Sequence, residues 1–213
     1  MSLLNKVAGK FDKNKFHNLN EEFTFSEYLE RCYKNPKVIR TAYQRIYDMI
    51  VTKGCKEFEK YRKTLVHYNF FDDSEIPIFG LEETIDRLMK FIKGAAGGFG
   101  TEKRILLLHG PVGSSKSTIL RLLKKGMERY SQTDDGSWYT FKWINLPTGP
   151  DGIYISDCDE CPMHEDPIKL IPIDIRKGII DELNEIYRNS FNEKESINAY
   201  KLRVDGELDP RCK

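Results

Sequence analysis

Apolar residues over about the first seventy positions recur at helical spacing. Thr24 followed by Glu27 has the pattern of a capping box and predicts a helix through "SEYLERCYK". Asn35-Pro36 offers a cap and a favoured first position for the next helix. There Val38, Ile39, Ala42, Tyr43, Ile46, Tyr47, Met49 and Ile50 share the helical period until Gly54 stops it. Such a stripe packs on neighbours, and its polar face lacks the basic character of a membrane-surface helix.

The pattern then changes. "SEIPIFGLEETIDRLMKFIKGAAGGFG" reads as a short apolar segment, a glycine, and a helix with Leu81, Ile85, Leu88 and Ile92 on one face. Gly94 is expected to end that helix, and "GAAGGFG" to be a flexible connector. "RILLLHG", apolar from Ile105, suits a fully buried parallel strand. "TILRLLKKGMERY" sets Ile119, Leu120, Leu123 and Met127 on a helical face, and "WYTFKWI" alternates like a half-buried strand. The segment "LPTGPDGIYISDCDECPMHEDPIKLIP" reads as a long loop with short strands. "DIRKGIIDELNEIYRNSF" predicts a last helix capped by Asp174, with Ile175, Ile179, Leu183 and Ile186 on one side.

Between the expected strand at Ile105 and the helix after it lies "HGPVGSSKST". A phosphate-binding loop, G-x-x-x-x-G-K-S/T, needs backbone N–H groups around the phosphates, a lysine at the β/γ oxygens and a hydroxyl on Mg²⁺. Gly110, Gly113, Lys116 and Ser117 meet that need, while Ser115 stands where a second glycine is expected. Serine is small and keeps the N–H that binds phosphate, so the mechanism survives the exchange. The expected cofactor site is therefore Gly110, Pro111, Val112, Gly113, Ser114, Ser115, Lys116, Ser117 and Thr118, for ATP and Mg²⁺ with Ser117 on the metal. Strand, glycine loop, helix and strand make half of a nucleotide-binding α/β unit.

Composition narrows the setting. The 213 residues carry a net charge of +1, so no global field draws the protein to nucleic acid or an anionic membrane. Arg121, Lys124, Lys125 and Arg129 after the loop read as a solvated helix face. Five scattered cysteines suit a reducing cytoplasm, and "MSLLNKVAGKFDKNKF" lacks a signal-peptide core. Cys158, Cys161 and His164 have zinc-like spacing, but a fourth ligand from Cys55, Cys212 or His67 would have to come through the fold. Inert thiols are the preferred reading. "IYISDCDE" only superficially resembles an acidic metal-holding strand; Asp157 and Asp159 read as a solvated acidic loop. The four histidines are dispersed, and no hydrolytic triad is supported.

"IFG", about thirty residues before Gly110, is similar to the AAA segment that lies against adenine, which adds Ile78 and Gly80 to the expected site. Together with "RILLLHGPVGSSKSTI", "YTFKW", "CPMHEDPIKLIP" and the ending "YKLRVDGELDPRCK", it resembles the PrkA family of bacterial AAA-type serine protein kinases. The resemblance implies an N-terminal helical region over 1–72 and the first part of an AAA-type P-loop domain over 73–213. It also implies an acidic metal-binding strand and a kinase-like region beyond Lys213, a protein substrate, ring-like self-association, and a place in a stress or sporulation response. The stretch has no G-x-G-x-x-G-x-V, V-A-I-K, H-R-D or D-F-G kinase signature. An ATPase that remodels or degrades protein is therefore the alternative to a kinase.

Overall fold

The computed structural model describes residues 20–60, 62–72, 78–144, 160–190, 200–210 and 212. Among the described residues are helices α1 (Phe25–Lys34), α2 (Ala42–Val51), α3 (Glu82–Gly97), α4 (Lys116–Tyr130) and α5 (Ile173–Asn189). Strands β1 (Cys55–Lys60) and β2 (Lys63–Tyr68) form an antiparallel pair, from Cys55 opposite Tyr68 to Lys60 opposite Lys63. The hairpin corrects the expectation of an all-helical start. Its first strand, "CKEFEK", offers only Phe58 as a large apolar side chain, so its alternation is faint.

α1 opens on the expected capping box: Glu27 Oε2 accepts from Thr24 N at 2.7 Å, and Thr24 Oγ1 from Glu27 N at 3.4 Å. The next segment is two pieces rather than one helix. Asn35 caps a 3₁₀ turn, Pro36–Ile39; the chain extends at Arg40, and Thr41 opens α2 with a second capping box to Gln44. α3 runs through Gly94 and stops at Gly98, whose φ of 79° is left-handed, so most of the expected connector is helix. Ala95 and Ala96 explain this, since both are fully buried against the core.

The larger correction concerns the strands. Ile105 to His109 joins no ladder among the described residues, and Ile105 is 95% and Leu107 80% exposed. A buried parallel strand needs paired neighbours and two covered faces, and among the described residues the sheet is β1–β2 alone. "WYTFKWI" likewise makes a single bridge, Lys142 to Glu160.

α4 buries Ile119, Leu122 and Tyr130, with Leu123 and Met127 partly covered and Leu120 exposed. α5 starts at Ile173, with Pro172 in the cap position making no side-chain cap, so the expected cap Asp174 falls in the first turn instead. Its buried face is Arg176, Ile180, Leu183, Asn184 and Tyr187, leaving Ile175 and Ile186 exposed. The polar members face inward because they hold backbone carbonyls. Arg176 donates to Ile171 O at 3.0 Å and Gly206 O at 2.8 Å, and Asn184 to Leu202 O at 2.9 Å.

One core gathers Tyr28, Ile50, Phe71, Met89, Ile168, Leu183 and Leu202, from both sides of the expected boundary at 72/73. A buried polar hub runs through it. Asp48 accepts from Arg40 and the Tyr200 hydroxyl, and Arg40 also donates to Tyr130 Oη at 3.0 Å and to the carbonyl of Asp135. Tyr130 is the last residue of α4, so the hub fixes the end of the helix that begins at the glycine loop.

Candidate functional site: a glycine loop at the start of α4

Gly110 to Ser115 lead directly into α4 at Lys116. Gly113 has φ 82°, and Ser115, at the helix N-cap, has φ 57° and ψ 14°, left-handed for an L-residue. These two reversals turn the chain into the helix. The first N–H groups of a helix have no partner inside it. Ile119 N reaches Ser115 O at 2.9 Å, while the N–H groups of Lys116, Ser117 and Thr118 donate to no other described residue. They form a cluster of donors at the positive end of the α4 dipole, an anion-binding arrangement.

Lys116 folds back over the loop. Its ammonium lies 2.8 Å from Gly110 O, 2.6 Å from Pro111 O and 2.8 Å from Ser114 Oγ. The Ser114 hydroxyl also reaches Pro111 O at 2.9 Å, so it both positions the lysine and braces the loop. A Cβ on Gly110 would lie 2.9 Å from Ser114 Oγ, so that hydroxyl would have to shift, and would make ordinary contact with Lys116 Nζ at 3.9 Å. Val112 and Ser117 are exposed, which leaves the Ser117 hydroxyl open to a metal ion.

Ile78 is buried in the main core, and Gly80 stands in open space with φ 73° before α3. Neither hydrogen-bonds the loop among the described residues. Asp157, Asp159 and Cys158 lie outside the described residues. Among those described, no group of three His, Cys, Asp or Glu side chains could hold a metal ion. The expected solvated face of α4 is present at Arg121, Lys124 and Arg129, all exposed, with Lys125 half-buried. Sequence reasoning missed the Arg40–Asp48 hub, because charged residues on a buried face leave no signal in an apolar period.

The PrkA AAA domain model matches residues 23–207. The chain belongs to the PrkA AAA domain family. It is 35% identical over 211 residues to "ATP-dependent protease PrkA" of Bacillus subtilis (strain 168), covering 99% of this chain and 27% of that relative. It is 28% identical over 117 residues to "Serine/threonine kinase YeaG" of Escherichia coli (strain K12), covering 51% of this chain and 18% of that relative. The chain thus spans about a quarter of the length of the Bacillus relative. No solved structure matches. Family membership carries the P-loop NTPase class, and the described structure is mixed α/β with a small sheet. No helix among the described residues is long and apolar enough to cross a membrane.

Proposed function

We propose that the chain binds ATP with Mg²⁺ at Gly110–Thr118 as the nucleotide-using part of an ATP-dependent enzyme acting on protein. The observation that carries this is the cluster of N–H groups at Lys116, Ser117 and Thr118, unpartnered among the described residues, beside a lysine that loop oxygens hold. In this reading Lys116 leaves those oxygens for the β/γ-phosphates, the three N–H groups bind phosphate oxygen, and Ser117 holds the metal. Mg²⁺ would supply charge neutralisation of the phosphates. Ile78 and Gly80 remain our proposal for the adenine side.

Lys116→Ala is expected to weaken ATP binding at least about tenfold, the loss of one strong charge-assisted contact. Calorimetric titration checks it, and unchanged affinity would place the site elsewhere.

For the reaction we favour a serine protein kinase, on the resemblance of the loop and its flanks to that family and the printed name of the Escherichia relative. The name of the Bacillus relative, which covers nearly the whole chain, favours a second reading in which hydrolysis drives proteolysis or remodelling. Incubation with γ-labelled ATP, for this chain and the full-length Bacillus relative in parallel, separates them. Label on serine supports the kinase; free phosphate with cleaved, unlabelled protein supports the second reading. A protein substrate and self-association in rings belong to the same proposal.

A further inference from the structure

Two cysteines that play no part in the glycine loop meet in the core. Cys161 is 1% and Cys212 7% exposed, and their thiols are neighbours although half a hundred positions separate them in sequence. Their backbones are brought together independently of the sulfurs. Glu165 N donates to Cys161 Sγ at 3.4 Å, and the same residue's carboxylate accepts from Asp209 N at 2.8 Å. Cys212 N closes the turn on Asp209 O at 2.8 Å, and Lys169 holds the other Glu165 oxygen at 2.7 Å. Cys32, by contrast, is buried beside Tyr28, and Cys55 is exposed at the start of β1.

We propose that Cys161 and Cys212 are a dithiol that closes to a disulfide by exchange with a low-molecular-weight disulfide, tying the Tyr200–Cys212 segment to the turn before α5. Cys212, the more exposed of the two, loses its proton and attacks one sulfur of the small disulfide. A Cys212–S bond forms, the small S–S bond breaks, and one small thiolate leaves and takes up a proton. Cys161 then loses its proton and displaces the second small thiolate from Cys212. The protein dithiol is oxidised by two electrons to the disulfide, and the small disulfide is reduced to two thiols.

Burial and the neighbouring Cys161 push the Cys212 thiol up to about 11, which keeps its thiolate scarce and the first step slow. The second step is intramolecular, between neighbouring thiols whose turns Glu165 already joins. The pair therefore behaves as a slow latch rather than a rapid sensor. Closing it fastens Tyr200, whose hydroxyl feeds the Asp48 hub, and Leu202, which is fully buried.

The test uses the chain carrying Cys55→Ser, so that the exposed thiol cannot exchange, incubated with oxidised glutathione and then mapped by mass spectrometry without reduction. The expected product is one intramolecular disulfide joining Cys161 to Cys212, with a thermal midpoint several degrees above that of the reduced chain and restored by reductant. Cys161→Ala and Cys212→Ala, each checked for native circular dichroism, should lose that rise. Glutathione retained on either cysteine, pairing of either with Cys158 or Cys32, or no loss of thiol overturns the proposal. Should a variant fail to fold, the map of the parent chain decides alone.

Discussion

Ser115 shows what one residue contributes to the loop. Its φ of 57° is a conformation glycine adopts freely and serine adopts at a cost of about 1–2 kcal/mol. Part of that cost is offset because serine restricts the unfolded chain. Ser115→Gly is therefore expected to stabilise the chain by up to about 1 kcal/mol, a rise of about 2–4 °C read by calorimetry, with ATP affinity retained. Gly113→Ala should show the reverse, losing about 1 kcal/mol through φ alone, since its Cβ would meet nothing. Gly110→Ala differs from both, because its Cβ would displace Ser114 Oγ, a partner of Lys116, and should weaken nucleotide binding more than Gly113→Ala. The residue types of this loop were legible in the sequence. The left-handed turn at Ser115 was not, because side-chain size says nothing of φ.

At the scale of elements, polar side chains at core positions do much of the joining. Gln44 is fully buried in α2; its amide donates to Ala96 O at 3.1 Å and Lys201 O at 3.0 Å, and its oxygen accepts from Thr41 N at 3.0 Å. Gln44→Leu fills similar space but strands those groups, and is expected to cost about 2–4 kcal/mol in urea denaturation. Glu165 gives a pH signature. Burial opposes its charge, but the Lys169 ammonium and the Asp209 N–H outweigh it and hold its pKa below the ordinary 4.5. Its stability contribution is thus present above that value and lost as pH falls through the depressed folded pKa. Glu165→Gln should cost about 2 kcal/mol at neutral pH and little in strong acid, read from urea midpoints at both.

These same residues explain what could be read along the chain. α1 was legible because its start is local, Thr24 and Glu27 being three positions apart. α5 was legible as a helix, but its buried face was not, since Arg176 and Asn184 are anchored by carbonyls at Gly206 and Leu202 that follow it in the chain. The hairpin escaped notice because its apolar positions are too few to mark a period of two.

For the whole molecule, the apolar run before the loop sets the behaviour. Ile105 and Leu107 have the composition of a buried strand and are largely solvent-exposed. Burial there depends on a partner strand, which no local pattern specifies. An exposed apolar run whose backbone pairs with no strand among the described residues invites strand pairing between chains. Replacing both residues with lysine is expected to reduce concentration-dependent association of the 213-residue chain, measured by sedimentation velocity, without lowering its helix content.

Lys116 carries one last consequence. An ammonium gripped by Gly110 O, Pro111 O and Ser114 Oγ is surrendered only to a better acceptor. A nucleoside offers no phosphate oxygen, and a monophosphate lacks the β/γ oxygens that the proposed site assigns to Lys116. On the proposed reading, the loop is therefore expected to discriminate by the number of phosphates, binding a nucleoside triphosphate more tightly than a monophosphate in calorimetric titration.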